Sequence, residues 1–143
     1  MITVSPAPID VAAELDALEA GVGAVASFTG LVRGDDGVTE LELEHYPGAT
    51  ESALEQLAAE AEARWNLSAV RIVHRVGPMT PGERIVFVGT ASAHRGAALE
   101  ACAFLIDRLK TDAPFWKRET RGGTTTWVEP RGTDDLAAAR WRR

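Results

Sequence analysis

The sequence predicts an α+β fold: one domain spanning residues 1–143, in which an antiparallel-rich sheet with hairpins is packed by two to three main helices. Three observations carry this reading. Strand-like segments outnumber helical ones, turn chemistry of the hairpin kind joins several of them, and no repeat, low-complexity tract or linker divides the chain. A composition of 45% hydrophobic and 25% charged residues matches an ordinary globular domain and excludes a disordered, collagen-like or membrane-spanning chain.

Ile2 to Val4 reads as a short strand, and Asp10 to Ala20 as a helix with Val11, Leu15 and Leu18 on one face, stopped by Gly21. The period then changes. Ala24 to Arg33 is a largely uncharged strand, GDDG at 34–37 supplies a turn, and Val38 to Tyr46 alternates Leu41, Leu43 and His45 against Glu40, Glu42 and Glu44. These two strands are expected to form an antiparallel hairpin. Pro47-Gly48 breaks the second strand, and Thr50 or Ser52 caps a helix reaching about Trp65, with Leu54, Leu57, Ala61 and Trp65 facing the core. Ala69 to Val76 places Val70, Ile72, His74 and Val76 on one face, GPMTPG forms a turn, and Glu83 to Ala91 is the partner strand. SAHRG at 92–96 leads into a helix from about Gly96 to Asp112, ended by Pro114. Phe115 to Glu119 and Thr124 to Glu129 are strands around an Arg-Gly-Gly turn, and Asp134 to Trp141 is a terminal helix behind Thr133.

Charge limits the partners. Fifteen Lys and Arg against 21 Asp and Glu leave −6, which argues against duplex DNA or an anionic membrane as a general partner. Residues 94–121 are the exception, with six basic and four acidic side chains, so a net +2 there leaves −8 on the remainder. A local basic site on an acidic body suits a small phosphorylated molecule better than a polymer. One cysteine cannot make an internal disulfide, and the first residues lack the pattern of a signal peptide, so a reducing cytoplasm is expected. No stretch is apolar enough to span a bilayer.

Thirteen of the fifteen basic residues are Arg, yet both lysines, Lys110 and Lys117, fall in the window LKTDAPFWK. An ammonium can lose its proton where a guanidinium cannot, so the clustering points to chemistry, with two solvated charges as the plain alternative. At 100° per residue Lys110 lies within an apolar stripe of Leu99, Cys102, Ala103, Ile106 and Leu109. There it is either desolvated, with its pKa drawn down, or it snorkels from the last turn and complements the helix dipole. Strand alternation puts Lys117 with Phe115 and Glu119, and Trp116 with Arg118 on the other face, so the two amines can converge around Pro114 or Lys117 can simply pair with Glu119.

His94 and Arg95, at a helix start with free backbone N–H groups, make a candidate anion site, against the alternative that Ser92 merely caps the helix. Arg33 closes an uncharged strand beside the GDDG turn and can reach an anion, although strand-end arginines are usually only solvated. His45, His74 and His94 lack metal-ligand spacing and Cys102 sits among apolar neighbours, so no metal is expected. The chain has no Gly-x-Ser-x-Gly elbow, Walker loop or dinucleotide fingerprint. Trp65, Trp116, Trp127 and Trp141 are spread as core or interface anchors.

ASFTGLVR (26–33), LELEHYPGAT (41–50), VHRVGPMTPGE (73–83), VGTASAHRGAALEA (88–101), LKTDAPFWKRE (109–119) and WVE (127–129) together resemble the large, catalytic subunit of molybdopterin synthase. The likeness runs from about residue 22 to residue 129, and SAHR followed by LKTxAPFWKRE is its most specific part. It implies an α/β hammerhead fold and an enzyme, a sulfurtransferase of molybdenum cofactor biosynthesis. Such an enzyme converts cyclic pyranopterin monophosphate to molybdopterin by installing the two dithiolene sulfurs. The implied partners are a small ubiquitin-like sulfur-carrier subunit with a thiocarboxylated Gly-Gly tail, and a second copy of the chain in a homodimer at the centre of a heterotetramer.

By motif, the resemblance makes Lys110 and Lys117 the catalytic lysines and assigns Leu31, Val32 and Arg33 to the substrate-binding strand. It has His94 and Arg95 supplied by the neighbouring subunit, Arg118 and Glu119 completing the pocket wall, and no metal or other cofactor in the reaction. The chain departs from the family in the short GDDG loop after Arg33. Two competing readings remain at this point. One is a non-catalytic dimeric module that binds a ubiquitin-like tail or a phosphorylated pterin; the other is a lysine Schiff-base enzyme acting on a carbonyl phosphate.

Overall fold

A computed structural model describes residues 1–128, Ala139 and Trp141. In chain order the elements are β1 (Ile2–Ser5), α1 (Val11–Leu18), β2 (Ala24–Leu31), β3 (Val38–His45), α2 (Ala49–Trp65), β4 (Ala69–Arg75), β5 (Gly77–Met79), β6 (Arg84–Ser92), α3 (Arg95–Asp112), β7 (Phe115–Arg121) and β8 (Thr124–Trp127). They form two four-stranded sheets, ordered β1-β4-β6-β2 and β5-β3-β7-β8. Among the described residues only β1 with β4 is a parallel pair. The α+β expectation therefore holds. No helix among the described residues is long and apolar enough to cross a membrane.

The first sheet is covered on both faces, which explains why β6 reads IVFVGTAS without a charge after Arg84. Val88 joins Ala26, Val70 and Ile72 against Leu54, Leu57 and Ala61 of α2 and Ala98, Cys102 and Leu105 of α3. Phe87 and Ala91 point the other way, onto Leu18 and Leu15 of α1. Gly89 lies beneath α1, where a Cβ would overlap Leu18 Cδ1 and press on the Phe87 ring, so a side chain there would force both to shift. Asp10 opens α1 by accepting the Ala13 N–H at 3.1 Å.

Four local expectations are corrected. Strands β2 and β3 do not form a hairpin: β2 pairs with β6, and β3 pairs with β5 and β7. The short GDDG segment carries the chain from one sheet to the other, because Val32 is drawn into the core between the sheets, where Leu41, Leu43 and Met79 bury it. The second correction is that GPMTPG is not all turn, since Gly77–Met79 pairs with Leu41–Leu43 as β5.

Helix α2 begins earlier than either proposed cap. Gly48 takes a positive φ of 86° and its N–H donates to Glu51 Oε1 at 3.0 Å, so Gly48 and Glu51 close the end. Thr50 instead accepts the Tyr46 N–H at 3.0 Å and donates to the Pro114 carbonyl at 2.9 Å. In α3, Ala98, Ala101, Cys102, Phe104, Leu105 and Leu109 are the residues that pack inward. The apolar stripe is thus rotated from the expected one, leaving Leu99 61% exposed and Lys110 exposed. At the chain's end β8 stops at Trp127; Glu129 and the expected helix from Asp134, with its cap Thr133, lie outside the described residues apart from Ala139 and Trp141.

Candidate active site

Antiparallel register sets the two poles of the first sheet. Ala24 faces Ser92 at one pole and Leu31 faces Arg84 at the other, a strand length of about 23 Å. Helix α3 leaves the Ser92 pole and runs back along β6: the Thr90 hydroxyl donates to Ala98 O at 2.6 Å, and Cys102 Sγ reaches Val88 O at 3.8 Å. Lys110, fifteen residues after Arg95, is therefore carried about 22 Å to the Leu31 pole.

At that pole Val32 is held completely. Its N–H donates to Glu83 O at 2.9 Å, its carbonyl accepts the Gly82 N–H at 2.9 Å, and its side chain is buried. Arg33 emerges from this fixed residue with its side chain two-thirds exposed and a loose 3.7 Å ion pair to Asp35. Leu31 beside it is 55% exposed. The base is rigid and the guanidinium can reach outward.

The corner joining α3 to β7 is anchored twice. Thr50 holds the Pro114 carbonyl from α2, and the Phe115 ring stacks on His74 of β4 with centroids 4.0 Å apart. Lys110 occupies the last turn of α3, where an ammonium complements the carbonyl end of the helix. Of the two readings of Lys110, the exposed one describes this chain. Lys117 pairs across to Leu43 and so stands on the inner side of the second sheet, above the Val32 cluster. Its Nζ lies 3.9 Å from Glu119 Oε1, and Glu119 itself is buried and bound by Arg121 at 2.6 Å. Arg118 faces the opposite side, where its Nη2 donates to Glu42 at 2.6 Å and to Glu44 at 2.8 Å and the guanidinium lies over Trp127.

His94 and Arg95 open α3 at the other pole, both exposed. His94 is the N-cap residue with extended backbone and no side-chain cap, and the Ser92 hydroxyl only accepts the His94 N–H at 3.4 Å, so it does not close the helix. The first-turn N–H groups stay available to an anion. One copy of the chain thus carries Leu31, Val32, Arg33, Lys110, Lys117 and Glu119 to one pole, turns Arg118, expected beside Glu119 in the pocket wall, to the opposite face of β7, and sets His94 and Arg95 apart from them. Among the described residues no group of three or more His, Cys, Asp or Glu is arranged to hold a metal. A groove of about 570 Å³ lies elsewhere, lined by residues that include Met1, Ile2, Glu55, Ala58 and Glu62 and by none of the candidate site residues.

Three supports of this pole escaped the sequence reading: the Thr50–Pro114 tie, the His74–Phe115 stack and a buried Arg75. The sequence of β4, AVRIVHR, carries no local signal that its terminal arginine is the buried one. His74 also marks an acid limit. Burial lowers its pKa to about 4 from 6.5, against the Arg75 carbonyl at 2.9 Å, which favours the charged ring, while His45 lowers it slightly further. Below pH 6.5 the unfolded chain therefore takes up a proton that the folded chain refuses until about pH 4. Stability should fall across that window by about 3 kcal/mol and then level off. Urea titrations of the wild-type and His74→Phe chains between pH 7 and pH 4 check this, the expected result being a shallower slope for the variant.

The family model described as MoaE protein matches residues 4–112. A curated molybdopterin synthase catalytic subunit from Pseudomonas aeruginosa is 53% identical over 146 residues, covering 98% of this chain and 97% of the relative. A solved structure of molybdopterin cofactor biosynthesis protein E from Burkholderia multivorans has a TM-score of 0.85 at 51% identity, covering 99% of this chain and 95% of that one. The crystal structure of molybdopterin synthase from Staphylococcus aureus has a TM-score of 0.84 at 31% identity, covering 89% and 96%.

Proposed function

The chain belongs to the MoaE protein family, whose matched relatives are molybdopterin synthase catalytic subunits, and from that membership we propose the step it performs and the residues that perform it. It is an enzyme of molybdopterin synthesis. As a sulfurtransferase it converts cyclic pyranopterin monophosphate to molybdopterin, taking each of two sulfurs from the thiocarboxylated Gly-Gly tail of a ubiquitin-like carrier subunit. The chain acts as a single domain in the cytoplasm, as the central homodimer of a heterotetramer with that carrier. No metal or other cofactor takes part.

The observation that carries the residue assignments is the split between the poles. Both lysines and Arg33 share one end, while His94 and Arg95 stand about 22 Å away at the other end of α3. A two-fold dimer that sets the His94 pole of one copy against the lysine pole of the other completes the site. Arg33 with the partner copy's helix start then holds the substrate phosphate, with Leu31 and Val32 as the strand beneath it. Lys110 works at the carrier's thiocarboxylate and at the carbons that receive sulfur, either moving a proton or stabilising charge on the acyl intermediate. Lys117 keeps the local field positive, Glu119 fixes Lys117, and Arg118 braces the strand from behind through Glu42 and Glu44.

Reconstitution tests the reading. Purified chain, thiocarboxylated carrier and cyclic pyranopterin monophosphate should yield a dithiolene pterin with two carriers consumed per product. Carrier binding without product would mean a docking module, and a borohydride-trapped adduct with a carbonyl phosphate would favour a Schiff-base enzyme.

A further inference from the structure

We propose that Glu83, locked by Arg75, is a positioning residue for phosphate binding: it holds the Thr80–Glu83 turn against Val32 and so aims Arg33. The proposal rests on Arg33 being a substrate contact, as argued above. Val32 is bonded on both its backbone groups to this turn, to Glu83 O and to the Gly82 N–H, so the turn determines where Arg33 begins. Gly34, just after Arg33, lies so close to Pro81 that a Cβ would be 3.2 Å from that ring, so the turn flanks Arg33 on both sides.

The turn is fixed by side chains rather than by its backbone alone. Glu83 Oε2 accepts the Thr80 N–H at 2.5 Å and the Thr80 hydroxyl at 3.0 Å, whereas the backbone bond from Glu83 N to Thr80 O is a longer 3.2 Å. Glu83 Oε1 accepts Arg75 Nη1 at 3.1 Å. Arg75 is buried, and its Nε and Nη2 donate to the Pro6 carbonyl at 3.3 and 3.1 Å, so the carboxylate is tied to the N-terminal segment as well. The Thr80 N–H, followed by Arg75, keeps the Glu83 carboxyl below its ordinary pKa and hence ionised at working pH. Glu83 does not need to touch substrate. Its effect is on where a phosphate-binding side chain starts, and a misplacement of about 1 Å at such a group costs up to about 10²-fold.

The test is steady-state kinetics of the reconstituted enzyme with Glu83→Ala, Arg33→Ala and the double variant. Glu83→Ala is expected to raise KM for the pterin about tenfold, with kcat within about twofold and KM for the carrier unchanged. In the double variant the Glu83 change should add almost nothing to the Arg33→Ala effect, because its route through Arg33 is gone. Additive effects, an unchanged pterin KM, or an equal rise in carrier KM would each overturn the proposal. Should Glu83→Ala not fold, Glu83→Gln keeps one acceptor oxygen and is expected to raise the pterin KM about threefold, with the same outcomes deciding. A wild-type chain that makes no product would instead defeat the sulfur-transfer reading, and a wild-type chain whose Arg33→Ala variant keeps its pterin KM would defeat the assignment of Arg33.

Discussion

Product formation by a Lys110→Ala chain is expected to fall by about 10²–10⁴-fold, the range of a lost proton-transfer or charge-stabilising group. Folding should be unaffected, since Lys110 is exposed at the end of α3 and its removal opens no cavity in the core. Carrier binding is expected to persist, so the loss should appear in kcat rather than in KM for the carrier. Lys110→Arg separates the two roles. Guanidinium keeps the charge but does not deprotonate at working pH, so retained activity would remove the proton-transfer role and leave electrostatic stabilisation. Single-turnover assays with saturating thiocarboxylated carrier measure both variants. An alanine variant within about threefold of wild type would remove Lys110 from the chemistry.

Legibility followed locality. Strand β6 and helix α2 were readable because their burial patterns are local, as in the run IVFVGTAS and in the helical spacing of Leu54, Leu57 and Ala61. The β2–β3 pairing was not, because GDDG is equally good chemistry for a hairpin turn and for a link between sheets. Only the burial of Val32 against Leu41, Leu43 and Met79, a non-local fact, decides between them. The stripe of α3 was misjudged for a related reason. Apolar identity placed Leu99 inside, whereas the small Ala98 and Ala101 are the residues buried there. For the site, the two lysines stood out because the chain is otherwise so rich in arginine. Glu83 and Arg75 did not, since their work is done through hydrogen bonds to turn and backbone atoms of other segments.

A mixed dimer of two inactive chains is expected to regain activity. In Lys110→Ala the lysine pole fails and the His94 pole is intact; in Arg95→Ala the reverse holds. If each site takes its lysines from one copy and His94 with Arg95 from the other, a dimer of the two variants has one wholly intact site and one doubly damaged site. With random assortment half the dimers are mixed, so activity should recover to about a quarter of the wild-type value. If all these residues served within one copy, every site in the mixture would carry one lesion and nothing would be recovered. The 22 Å span of α3 between Arg95 and Lys110 is the reason to expect recovery.

The central claim is that the lysines of one copy act on a phosphate held by the other, and dithiolene-pterin formation by co-refolded Lys110→Ala and Arg95→Ala chains tests it most directly. Recovery to about a quarter of wild-type activity, absent when the pre-formed variant dimers are mixed without exchange, is the predicted result. Activity no higher than the sum of the two variants alone, with mixed dimers demonstrably present, would contradict it.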